Sequence, residues 1–222
     1  MPLLAQEDER QSVIDSTFFT KVDSLYREDQ FYFGFTYNAL TNLPNNMAQN
    51  NFSSGLSGGF LRDMPINKNR TLAIAIGAGV SYANYQQNLV TSETPTGVQF
   101  EIINENDLTK GKLEQLFIEM PLELRWRTST PTSYKFWRIY GGVKLQYLVF
   151  DRSRFQGDGF DYTVTNNANL NRFQYGPYLA FGFNTWNFQA FYGVNSLFKN
   201  VTINNEAIET RTLNIGLMFY IL

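Results

Sequence analysis

Two carboxylates and three cations hold the clearest chemical potential in this sequence. Glu119 and Glu123 lie four residues apart, Arg125 follows closely, and Arg138 and Lys144 come shortly after. A carboxylate pair in one cleft can divide general-acid and general-base duties or pass cations, provided one of the two pKa values is raised. Here several cations accompany the pair, which favours ionisation of both carboxylates. The group therefore reads as a salt-bridge network in a confined space, where an unpaired charge is costly. No catalytic residue is assigned, and the sequence is read as non-enzymatic.

His and Cys are absent. That removes Ser-His-Asp triads, thiol nucleophiles, disulfides and thiolate or imidazole metal sites. The run Asp151-Arg152-Ser153-Arg154 followed by Gln156-Gly157-Asp158-Gly159 does not meet EF-hand spacing and reads as an ordinary polar loop. No metal and no cofactor is expected. Lys and Arg total 18 against 20 Asp and Glu, a formal charge of −2, which provides no broad cationic face for nucleic acid.

The elements that must position these residues are strands. In Leu116 to Arg127, Leu116, Ile118, Met120, Leu122, Leu124 and Trp126 share one face, and Glu119, Glu123, Arg125 and Arg127 share the other. This period of two recurs from Phe31 to Asn38, Leu72 to Tyr82, Trp137 to Phe150, Phe173 to Phe183, Phe188 to Val194 and Leu213 to Ile221, and more weakly in the Gly-rich stretch Ser53 to Arg62. The tally is about eight strands, several longer than the usual globular five or six residues. Connections alternate in length: Thr41–Phe52, Gln86–Leu113, Asp151–Arg172 and Lys199–Thr210 are long, while Asp63–Thr71, Thr128–Phe136 and Asn184-Thr185 are short.

Aromatic residues make up 16% of the chain while mean hydropathy is only −0.29, as expected where aromatics alternate with polar residues. The polar faces are rich in glycine (Gly34, Gly77, Gly79, Gly142, Gly176, Gly182, Gly193 and Gly216), which weakens a solvated strand but fits the narrow interior of a small barrel. Trp126, Trp137 and Trp186 all fall on the apolar parity beside short turns, the place of an aromatic girdle. Lipid outside and a polar, filled lumen follow from this assignment. Pro121 and Pro177 interrupt strands and predict bulges. A soluble lipocalin-like barrel would reverse the two faces.

The expected fold is all-β: an eight-stranded antiparallel up-and-down transmembrane β-barrel with a short N-terminal periplasmic segment. Residues 1–5 read as the remnant of a signal peptide, with Leu3-Leu4-Ala5 before a polar stretch. Residues 6–30 form the periplasmic segment, and 31–222 the barrel. Within the segment, Ile14, Phe18, Val22 and Leu25 share one face at helical spacing. They predict an amphipathic helix over roughly 12–27, capped by Ser12, with a face that can dock on a partner.

Three stretches carry a family resemblance: Asp29-Gln30-Phe31-Tyr32-Phe33-Gly34-Phe35, Gly59 to Asn67, and Ile118-Glu119-Met120-Pro121-Leu122-Glu123-Leu124-Arg125-Trp126. From about residue 29 onward the chain resembles the PorT-like outer-membrane barrels of the Bacteroidota. The resemblance implies residence in the outer membrane, contact with its lipid, and protein partners in an outer-membrane complex, with type IX secretion and gliding machinery as the named association. A small passive outer-membrane pore is the alternative function.

Overall fold

The computed structural model describes residues 29–49, 51–95, 97–128, 135–203 and 206–221. Its strands, in chain order, begin with β1 (Gln30–Thr41), β2 (Ser54–Pro65), β3 (Leu72–Gln86), β4 (Leu89–Thr94), β5 (Gly97–Ile102), β6 (Leu108–Arg127) and β7 (Trp137–Gly157). They continue with β8 (Phe160–Thr165), β9 (Phe173–Phe183), β10 (Trp186–Tyr192), β11 (Thr202–Ile203), β12 (Glu206–Ala207) and β13 (Arg211–Ile221). Eight of them follow one another around a closed antiparallel sheet in the order β6-β3-β2-β1-β13-β10-β9-β7, and pairing of β7 with β6 closes the cylinder.

Period-two patterning sets the two faces. Along β6 from Leu116 to Arg127 the alternation is complete: Leu116, Ile118, Met120, Leu122, Leu124 and Trp126 face out, while Phe117, Glu119, Pro121, Glu123, Arg125 and Arg127 are buried inside. Phe31, Phe33, Phe35 and Tyr37 on β1 and Leu72, Ile74, Ile76 and Val80 on β3 are likewise exposed outward. Because one face is buried, register is strongly specified. β1 meets β13 without a break from Phe31 opposite Ile221 to Thr41 opposite Arg211.

Inward glycines let neighbouring strands approach. A Cβ at Gly142 would collide with the Leu122 carbonyl oxygen and lie 2.9 Å from the Cα of Glu123. At Gly216 it would collide with the Phe35 carbonyl and stand 2.7 Å from the Cα of Thr36. At Gly34, by contrast, it would meet lumen side chains, with Gln189 Nε2 at 2.6 Å. Both requirements, tight curvature and a crowded interior, act in a small barrel.

The prolines do not form bulges. Pro121 stays opposite Lys144 on β7, and on the β3 side the register is the same before and after it. The β3–β6 ladder simply skips Gly77 and Ala78, opposite Pro121 and Met120, where proline offers no N–H. Pro177 stays opposite Val143 in an unbroken β7–β9 ladder, and the β9–β10 ladder already ends at Tyr178. The bulge lies elsewhere. Leu116 pairs with Phe150 but Phe117 pairs with Leu148, so Val149 is the extra residue, and Val149 and Phe150 both face outward.

The long connections are folded structures. Above the bulge β6 and β7 continue as a two-stranded ribbon from Gln115 opposite Asp151 to Lys110 opposite Gln156, with a second register shift before Leu108 opposite Gly157, and β8 is a third strand. The β4–β5 hairpin and the short β11–β12 pair complete a cap at this end. Its apolar core contains Tyr85, Leu89, Leu113, Phe117, Leu148, Leu170, Leu197 and Phe198, so the cap seals the mouth with hydrocarbon. Asparagine supplies most of the left-handed turn residues (Asn42, Asn46, Asn51, Asn166, Asn184 and Asn200), a backbone state it tolerates better than most side chains do.

Candidate functional site

The barrel interior holds the charged residues, in two clusters. Toward the short-turn end, Asp63 of β2 is the hub. Its carboxylate accepts two parallel bonds from Arg127, each 2.8 Å, and a third of 3.1 Å from Arg125, and all three side chains are fully buried. This fork-to-carboxylate geometry is among the strongest polar contacts proteins make. Arg125 also donates through Nε to Glu123 at 2.9 Å and lies over the Tyr140 ring at 4.6 Å. Asp29, just before β1, accepts the Asp63 backbone N–H at 2.8 Å and pairs with Arg62 on the outside.

The second cluster sits higher. Tyr32 donates to Glu119 at 2.6 Å, Gln146 donates to the other Glu119 oxygen at 3.3 Å and to Ser81 at 3.1 Å, and Lys144 lies 3.5 Å from Glu119. The Lys144 ammonium also stands 4.7 Å from the centre of the Tyr178 ring, whose hydroxyl is 3.2 Å from that of Tyr220. Glu119, Lys144, Gln146 and Gln189 border a lumen cavity of about 30 Å³. That is room for roughly one water. Each carboxylate is held by a cation or a hydrogen-bond donor, and neither has space beside it for a substrate.

The structure thus brings together Glu123 with Arg125, and Glu119 with Lys144. Arg138 does not join them: its guanidinium rests against the rings of Phe136 at 4.6 Å and Tyr220 at 5.2 Å, with no carboxylate in reach among the described residues. Sequence reasoning missed Asp63, having placed it in a turn, and left Arg127 and Tyr32 out of the network. The signal was present. Outward Phe60 and Met64 continue the alternation of β2 past Arg62, which puts Asp63 on the same inward side as Leu61.

Trp126, Trp137 and Trp186 stand exposed at the short-turn ends of β6, β7 and β10. Trp137 packs 5.3 Å from Phe183 and Trp186 packs 5.7 Å from Phe219. The signal remnant and the helical face of Ile14, Phe18, Val22 and Leu25 lie outside the described residues.

A closed cylinder with hydrocarbon side chains around its outside and ion pairs turned inward is the architecture of an integral outer-membrane protein, since closure leaves no backbone edge in lipid. The chain belongs to the family described as outer membrane protein beta-barrel domain, which it matches over residues 4–203. It is a protein of the bacterial outer membrane. No curated protein matches it. Four solved chains match. One is Ail, the attachment invasion locus protein of Yersinia pestis, at 11% identity and a TM-score of 0.38, covering 88% of this chain and 100% of that one.

Proposed function

We propose that this barrel is a non-enzymatic accessory subunit or assembly factor of an outer-membrane complex, within the type IX secretion and gliding machinery to which its PorT-like stretches point. The filled lumen carries the reading. A barrel packed with ion pairs, left with an internal cavity of about 30 Å³ and sealed above by an apolar core, offers surfaces rather than a passage. Those surfaces are the lipid-facing wall and the folded cap. In this reading Trp126, Trp137 and Trp186 rest at the periplasmic headgroup level and fix the depth of the barrel, while Asp63, Glu119, Glu123, Arg125, Arg127 and Lys144 hold its shape. The test is purification of the tagged protein in mild detergent, with mass spectrometry of what accompanies it. Defined outer-membrane proteins should co-purify in fixed ratio. Recovery of the barrel alone, under conditions that keep established complexes whole, overturns the accessory role. The alternative, a small passive pore, requires ion conductance in planar bilayers, and the packed interior leads to none above the bare lipid.

A further inference from the structure

The apolar wall of β6 and β7 ends abruptly in charge. The outward run from Trp126 up to Leu116 rises roughly 24 Å, at about 3.4 Å per residue and a tilt of about 45°, close to the ~25 Å apolar band of such barrels. The next outward residues on β6 are Glu114 and Lys112, and those above Phe150 on β7 are Arg152 and Arg154. They therefore stand at the headgroup level of the outer leaflet, on the side of the long connections.

This outward patch is short of anions. Lys112 stands directly opposite Arg154 in the β6–β7 ladder, and like charges so placed repel. Glu114, opposite Arg152, is already engaged by Tyr82 at 2.6 Å and Lys112 at 2.7 Å. Asp161 of β8 accepts from Gln156 at 3.1 Å and lies 3.8 Å from Arg154, too far for a hydrogen bond. The Nε of Arg154 is buried without an acceptor. Arg152 is exposed and forms no ion pair of its own among the described residues. Asp151 lies beside it in sequence but is buried on the inward face, and Asp158 lies in the turn beyond β7. On β8, exposed Thr165 and Thr163 stand opposite Arg152 and Arg154 and add two hydroxyl donors.

We propose that Lys112, Arg152 and Arg154, with Thr163 and Thr165, hold the phosphate of an outer-leaflet glycolipid. Guanidinium forks suit the several oxygens of a phosphate better than a single carboxylate does. Depth selects a lipid. A phosphate at this level belongs to a molecule whose acyl chains run down Leu116, Val149 and Phe150, the exposed apolar residues immediately below. The bulge turns both Val149 and Phe150 outward and so widens that apolar seat.

The test uses the full chain in detergent micelles, native mass spectrometry, and two probes, lipid A carrying its phosphates and lipid A stripped of them. Wild type should hold the phosphorylated form at least tenfold more tightly. Arg152→Gln/Arg154→Gln should bind the two forms alike. If that variant does not fold, Arg152→Gln decides alone, with a preference at least threefold below that of wild type. Equal affinity of wild type for the two lipids overturns the proposal, and so does an undiminished preference in the variants. Displacement of the lipid by inorganic phosphate at equal concentration also overturns it and assigns the cations to a free anion.

Discussion

Replacing Asp63 with Asn removes one negative charge from the centre of three buried contacts. Arg127 loses both carboxylate oxygens, at 2.8 Å each, and keeps its bond to the Arg70 carbonyl at 3.0 Å. Arg125 keeps Glu123. The Asn amide can accept one bond but turns an NH₂ group toward a guanidinium. Breaking a buried pair from one side costs about 3–5 kcal/mol, and the surviving Glu123 contact puts this case near the lower end. With a urea dependence of about 2 kcal/mol per molar, the unfolding midpoint should fall by roughly 1.5 M. The assay is urea unfolding in lipid vesicles followed by tryptophan fluorescence. Adding Arg127→Gln to Asp63→Asn should recover about 1 kcal/mol or more, because the stranded cation is then gone. A single variant within about 0.5 kcal/mol of wild type, the range of ordinary surface changes, would refute the hub reading.

Leu122→Arg places a charge on the lipid face and should cost about 2–4 kcal/mol in the same assay if that position lies at the bilayer midplane; Leu217→Arg is the matching change on β13. Gly142→Ala, though it adds only a methyl group, should cost on the order of 1–3 kcal/mol by overpacking, since the new Cβ meets the Leu122 backbone. Gly142→Glu should be worse still, since its longer side chain starts from the same collision with the Leu122 backbone. Brominated lipids should quench Trp126, Trp137 and Trp186 from a common depth, and tryptophans at clearly different depths would contradict their placement in one belt.

The wall of the barrel was legible because burial alternates there and nothing competes with the alternation, as in Leu116 to Trp126. The Val149–Phe150 bulge was legible in principle as two adjacent apolar residues, whereas proline chemistry pointed to the wrong places. Proline needs only a position where no N–H is required, and Pro121 and Pro177 both have one. The cap was not legible. Leu89, Leu113, Leu170 and Leu197 are scattered among polar loop residues and share a core only through contacts distant in sequence. The charge network was half legible for a related reason. Parity shows which side a charge takes, but not which strand curls round to meet it, so Glu123 and Arg125 on one strand face are legible together while Asp63, two strands away, is not.

That curling has a consequence for biogenesis. Asp63 and the arginines it binds sit two strands apart in the sheet, and Tyr32 and Glu119 sit three apart. In a flat ribbon, strand spacing alone would hold these partners about 10 and 14 Å from one another. Only rolling the ribbon into a tube brings them into bonding range. An unrolled intermediate would present bare ions to acyl chains, so the curling of the run β1-β2-β3-β6 should accompany entry into the bilayer.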